Sequence, residues 1–303
     1  MSNIALNSDI PLSVQFKDKT DYRNAKNRIF KTVVIILSII TISPIVLIIG
    51  KLIIKGIRQI NLDFFTSVAP DTFEAMMAIL SGDRIPGGIA NGITGTLLIV
   101  FLAAVIAIPI GIISGIYLYE NQDKRYANLI RNITDILQGV PSIVLGIIGY
   151  MWVVINITNG YSAIAGSAAL AIMMLPLIVR STEETMKMVP ENIKEAAVAL
   201  GVPYHKIIIR VMIPSSFSGL VTGILLAISR ILGETAPLLL TTLGSPAINM
   251  DITQPTSAVP LLIWNFYNDP NLVDLIWSSS LFLMGMVLTL NLVAKRIVAK
   301  REK

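Results

Sequence analysis

Ser181-Thr182-Glu183-Glu184 opens a mixed-charge run that continues to Arg210. Ile213-Pro214 follows, and then an apolar stretch that holds Arg230, Gly233, Glu234, Thr235, Ala236 and Pro237. A charged connector between two hydrophobic segments, followed by an ion pair inside the second, is the pattern of a polytopic membrane protein. The connector is placed to meet something soluble. The embedded pair is placed to meet something that crosses.

The composition agrees with that reading. Of 303 residues 54% are hydrophobic and 14% charged, with a mean hydropathy of +0.73. Soluble domains carry about 25% charged residues. The length suits about six membrane helices of ~20 residues each. The net charge of +5 arises from basic residues at span ends and forms no single patch, so nucleic acid is not an expected partner. There is no cysteine, which excludes disulfides and thiolate metal sites.

Outward from the opening stretch, apolar runs predict spans at about 30–54, 89–119, 133–155, 162–178, 215–242 and 274–297. The second is expected to tilt or break near Pro109. Residues 1–28 read as a partly disordered cytoplasmic tail and 29–303 as the transmembrane domain. Within it, segment 56–90 holds an amphipathic piece from Asp71 to Leu80 at the outer surface. Lys and Arg concentrate in the N-terminal tail, the connections at 124–131 and 187–210, and the C-terminal tail. That bias places both termini inside. Lys51, Lys55, Arg58 and Arg84 in the first outer loop are the one departure. The expected location is a bacterial or archaeal plasma membrane, crossed several times.

Gly111 with Gly115, and Gly219 with Gly223, are small-xxx-small pairs that allow close helix approach in lipid. Ordinary glycine enrichment in membrane helices is the other reading. Enzyme chemistry has little support. His205 is the single histidine, so no His-Glu-x-x-His site can form, and no phosphate-cradling loop exists, because Ile45 and Leu52 stand where one needs glycine and serine or threonine. No metal site and no cofactor are expected in this chain.

In the connector, residues 192–199 predict a short helix with Glu195 near its first turn, where a carboxylate suits the helix dipole. Gly201 is the expected stop. Ala196 and Ala197 offer a flat face to a partner; a solvated helix without a partner is the plain alternative.

Glu195-Ala196-Ala197, Gly201 and Val211-x-Ile213-Pro214 together resemble the EAA signature of ABC importer permeases, with Ile213 in place of the usual leucine. The resemblance implies an all-α fold of the type I importer permease and a coupling segment at 183–214, within a permease region of about 87–297. It also implies a separate cytoplasmic ATPase, in two copies, that binds ATP and Mg and hydrolyses it. Arg230-Ile231-Leu232-Gly233-Glu234-Thr235-Ala236-Pro237-Leu238 narrows the match to phosphate permeases of the PstA type. Asp135 with Gly139-Val140-Pro141-Ser142, and Leu175-Pro176 with Arg180-Ser181-Thr182-Glu183-Glu184, resemble the same family. The partners this implies are a homologous permease of the PstC type, an extracytoplasmic phosphate-binding protein and membrane lipid.

The residues themselves support an oxyanion path. An arginine inside a span costs about 2.5–3.5 kcal/mol to insert, so Arg230, midway along the fifth span, is expected to face protein or water. Glu234 lies four residues on and can hold the guanidinium, which is suited to phosphate. Arg180 and Thr235 are further candidates for the path, with Pro214, Gly233 and Pro237 as structural residues. The alternatives are an ion pair that only fixes packing, an Arg180 that only reaches the interface, and a Thr235 hydroxyl bonded to its own helix. Arg131 and Asp135, one turn apart, are expected to pair. Other readings of the whole chain are a sulfate or molybdate permease, the sister phosphate permease, or a channel or signalling subunit without ATP coupling.

Overall fold

The computed structural model describes residues 12–301. Among them there is no strand, only one isolated bridge between Leu243 and Thr256. Helix α1 spans Leu12–Gly56. It begins well before the expected start of the first span, because no Gly or Pro interrupts residues 13–43. The sequence-based tail therefore divides: residues 1–11 lie outside the described residues, and residues 12–28 are helical. At 1.5 Å per residue α1 is roughly 68 Å long, about twice a bilayer's hydrocarbon thickness.

Among the described residues, those from 55 to 301 make one compact unit. Its elements are α2 (Leu62–Thr66), α3 (Thr72–Ser81), α4 (Ala90–Glu120), α5 (Arg125–Gly139), α6 (Ser142–Gly149) and α7 (Ala163–Lys187). They continue with α8 (Glu191–Ala199), α9 (Tyr204–Ile207), α10 (Ile213–Ser215), α11 (Phe217–Ile231), α12 (Ala236–Thr241), α13 (Val259–Tyr267) and α14 (Val273–Arg301). A wide turn, Tyr150–Val154, extends α6, and another, Ile208–Met212, joins α9 to α10.

Four helical stretches are long and apolar enough to cross a membrane: 22–59, 90–120, 163–187 and 270–296. Two bent pairs bring the number to six. Proline does not break the long helices. α1 runs through Pro44, α4 through Pro109 and α7 through Pro176, so the break expected near Pro109 does not occur.

The third span differs from expectation. α5 and the α6 segment meet at 105°, at Val140-Pro141. Pro141 has no amide proton to give the helix and disfavours a helical Val140, and Val140 is accordingly extended. Residues 133–139 therefore belong to the more polar α5, and the apolar piece that remains, Ser142–Val154, is only roughly 20 Å long.

The glycine pairs are packing devices. A Cβ on Gly111 would lie 2.6 Å from Ile178 Cγ2, and one on Gly115 2.5 Å from Thr182 Cβ and 2.7 Å from the Val179 carbonyl. The paired numbers rise together, so α4 and α7 run parallel. A Cβ on Gly219 would meet Thr185, and one on Gly223 would meet Ser181, so α11 runs antiparallel to α7. Around these contacts Ile99, Ala103, Ala107, Leu170, Met174, Ile178, Ala227 and Ile231 form the main apolar cluster. Because a backbone oxygen cannot rotate away, Gly115→Ala is expected to destabilise by about 1–3 kcal/mol through overpacking. A lower thermal midpoint of the detergent-purified protein would report it.

Segment 56–90 and the loop after α12 form one structure at the end opposite the basic connections. Phe64, Ile89, Phe266, Leu272 and Leu275 share a second apolar cluster. Asn91 Nδ2 donates to the Ser245 carbonyl at 2.9 Å, and the Val259 amide donates to Thr96 Oγ1 at 2.9 Å. Thr72 Oγ1 donates to Asp269 at 2.5 Å, joining α3 to the start of the last span. That bond and one from the Asn271 amide hold the Asp269 carboxyl below the usual aspartate range.

Candidate functional site

The fifth span is broken where its charges stand. α11 ends at Ile231 and α12 begins at Ala236, so Arg230 occupies the last turn of α11 and is not midway along an unbroken helix. The chain turns through tightened bonds, with the Gly233 amide donating to the Arg230 carbonyl and the Glu234 amide to the Ile231 carbonyl. Pro237 near the start of α12 has no amide proton to give the preceding turn, which keeps the helix from resuming through it. Pro237 also packs tightly, since a Cβ on Gly146 of α6 would lie 2.7 Å from its Cα. A Cβ on Gly233 would come no nearer than 3.9 Å to the one neighbour in reach, so that glycine serves the turn and not a contact. Pro214, by contrast, sits just before the 71° bend between 204–215 and 217–231.

Arg230 Nη2 stands 3.9 Å from Glu234 Oε1, an ion pair too long for a hydrogen bond. The arginine side chain is 42% exposed and the glutamate 18%. A cation in the last turn also suits the negative end of the α11 dipole. Thr235 precedes α12, and its hydroxyl makes no capping bond there.

Arg180, on α7, is paired with Glu184 at 3.4 Å and more loosely with Asp135 of α5 at 3.9 Å. Because Gly223 stands against Ser181, Arg180 lies near the level of Ile224. Arg230 is about six residues further along, roughly 9 Å up the helix axis. The structure thus sets the two arginines at different levels of neighbouring helices.

The expected Arg131–Asp135 pair is not formed. Arg131 turns instead to Glu183 of α7, with Nε to Oε1 at 3.0 Å and Nη2 to Oε1 at 2.9 Å. Lys187 Nζ reaches the same oxygen at 2.7 Å. Glu183 is 1% exposed. Arg131 also donates to the carbonyls of Leu118 and Gln122 and to Asn128 Oδ1, which closes the end of α4. In the sequence Glu183 stands out only as one letter of a motif. Its signal is faint, an acid one turn before Lys187.

The connector folds as expected, with one difference. α8 starts at Glu191, so Glu195 sits a full turn inside it. Glu195 and Ala196 are exposed, whereas Ala197 is buried against Met186, Val189, Ile207 and Met212. The two alanines therefore differ in exposure, and of the two only Ala196 is open to a partner. Gly201 has φ +72°, the left-handed stop that glycine allows.

A cavity of about 560 Å³ lies elsewhere, between segment 56–90 and the loop after α12. Asp71, Thr72, Asn91, Asn265 and Asp269 line it, with no Lys or Arg, so it is unsuited to an anion.

Residues 107–301 match the family of binding-protein-dependent transport system inner membrane components. The chain belongs to that family. Among its relatives, the phosphate transport system permease protein PstA of Yersinia pestis is 37% identical over the full length of both chains. The PstA 1 permease protein of Mycobacterium tuberculosis strain H37Rv is 32% identical, over 96% of this chain and 94% of its own. Two inward-facing structures of the MetNI methionine ABC transporter share the fold, with TM-scores of 0.58 and 0.59 at 21% and 18% identity. Each covers 75% of this chain and 98% of its own. The fold is therefore the all-α type I ABC importer permease, and the chain is a multi-pass inner-membrane transport subunit, not an enzyme.

Proposed function

We propose that this chain is a permease subunit of an ATP-driven phosphate importer, and that Arg230 and Glu234 stand on the phosphate path. The observation that carries the reading is a half-exposed arginine, loosely held at 3.9 Å by one carboxylate, at a break inside an apolar span. Lipid is a poor neighbour for such a cation, so water, substrate or a second protein must cover it. Two short segments with proline at their starts, α6 and α12, pack against each other beside the break. Discontinuous helices of this kind are where transporters place their substrate sites. The planar guanidinium suits two phosphate oxygens at once, and Glu234 occupies it between transport events.

On this reading a homologous permease supplies the other wall of the path, and an extracytoplasmic phosphate-binding protein delivers the substrate. Two copies of a cytoplasmic ATPase, carrying ATP and Mg, dock against the exposed side of α8, at Glu195 and Ala196, with Gly201 ending that helix. The chain resides in a bacterial inner membrane. Arg180 and Thr235 line the path further along.

Labelled phosphate uptake tests the substrate. In cells whose own permease is replaced by this chain, uptake is expected to continue with a hundredfold excess of sulfate or molybdate outside. Uptake that falls tenfold or more with either anion present would move the assignment to that oxyanion.

A further inference from the structure

We propose that Lys194 is a positioning residue that clasps α8 to the inner end of α4 and carries the motion of α8 into the membrane-spanning helices; this rests on the importer reading above. Lys194 Nζ lies 5.4 Å from the ring centre of Tyr119 and 5.2 Å from that of Tyr204. Its third neighbour is Glu120 Oε1, at 3.8 Å. Tyr119 and Glu120 are the last two residues of α4, and Tyr204 is the first of α9. One ammonium thus joins three groups from two other elements.

The clasp is partly withdrawn from water, with the lysine side chain 28% exposed and that of Glu120 16%. Glu120 Oε1 is buried and has no hydrogen-bond partner among the described residues, so the nearby ammonium is the charge that balances it. A cation over aromatic faces is worth about 0.5–2 kcal/mol, more as water is excluded. A lysine free in solvent would show none of this geometry.

α8 consequently has two working sides. Glu195 and Ala196 face outward, free for a partner, while Lys194 and Ala197 face the body of the chain. Ala197 alone, a single small apolar side chain, would let α8 slide. The lysine adds a directional tie. It ends on α4, which continues for 31 residues and is locked to α7 at Gly111 and Gly115. α7 in turn meets α11 at Gly219 and Gly223, and α11 carries Arg230. A shift of α8 therefore has a continuous packed route to the broken fifth span.

The test compares the whole transporter, with its partner chains, in vesicles, measuring labelled phosphate moved per ATP hydrolysed. Lys194→Met keeps the stem and removes the charge. It is expected to leave ATP hydrolysis within twofold while phosphate moved per ATP falls at least tenfold. Lys194→Arg keeps both the cation–aromatic contact and the ion pair, and is expected to restore the ratio to within threefold. An unchanged ratio in Lys194→Met would overturn the inference, as would a loss of uptake and hydrolysis in equal proportion. The unaltered transporter is the control for the importer reading: if it moved no phosphate on ATP, that reading would fail first, and visibly so.

Discussion

Arg230→Gln is expected to reduce phosphate uptake at least hundredfold while the transporter assembles at its normal level. On the proposed path the pair that matters is the one the guanidinium would form with phosphate, and removing one partner of a desolvated, hydrogen-bonded charge pair of that kind costs about 2–5 kcal/mol. A hundredfold loss corresponds to about 2.8 kcal/mol, since each tenfold step is about 1.4, so the expected effect lies inside that range. Assembly should survive because the guanidinium fills no apolar cluster and its side chain is 42% exposed in the single chain. Arg230→Lys separates charge from shape. A lysine keeps the positive charge but lacks the planar fork that meets two oxygens together, so intermediate uptake with a raised half-saturating phosphate concentration is expected. Glu234→Gln should act the other way on binding, because it removes the competitor for the guanidinium: phosphate binds more tightly and leaves more slowly. If the ion pair served packing alone, Arg230→Gln would lower thermal stability and leave the uptake of the surviving protein intact. Normal uptake by Arg230→Gln would remove the arginine from the path.

What the chain's letters disclosed, and what they withheld, follows from the range of the forces involved. Lipid imposes a long apolar run on each crossing helix, so α1, α4, α7 and α14 are visible as composition. The glycine pairs were visible too, although only the structure decides that Gly115 approaches a backbone carbonyl and Gly223 a serine. The breaks were harder. A hydropathy window averages across Val140-Pro141, where the more polar α5 gives way to the apolar α6, and across 232–235, where the residues on both sides are apolar. Gly233 and Pro237 marked the second break in plain sight, yet a proline by itself decides nothing, because Pro44, Pro109 and Pro176 sit inside unbroken helices.

Charge pairing was the least legible part of the site. Spacing of four residues proposes Arg131–Asp135 and Arg230–Glu234 alike. The second forms, across a turn and not along one helix face. The first loses to Glu183, 52 residues away. Local spacing can state which partners are within reach, but burial decides among them. Glu183 is 1% exposed and would stay uncompensated without both Arg131 and Lys187, whereas Asp135, 56% exposed, is already served by water. The stronger need takes the arginine.

The same argument gives the largest expected stability effect. Glu183→Ala should destabilise the protein by about 3–5 kcal/mol, the usual cost of breaking a buried ion pair from one side. Three elements are joined there: α5 through Arg131, α7 through Glu183 and Lys187, and the end of α4 through the Leu118 carbonyl. Arg131 would keep its bonds to two carbonyls and to Asn128 but would lose its only carboxylate among the described residues. The lower half of the range is therefore the better expectation. Glu183→Gln keeps an acceptor and should cost less, while Arg131→Met strands the carboxylate with Lys187 alone. A double-mutant cycle between Glu183→Gln and Arg131→Met is expected to show a coupling of about 1–3 kcal/mol. Faster trypsin cleavage at Lys124 and Arg125, in and just after the turn between α4 and α5, would report the loosening directly. Wild-type melting and wild-type cleavage in Glu183→Ala would mean that the buried pair only balances its own desolvation, and that the glycine contacts at 111 and 115 hold α4 to α7 without it.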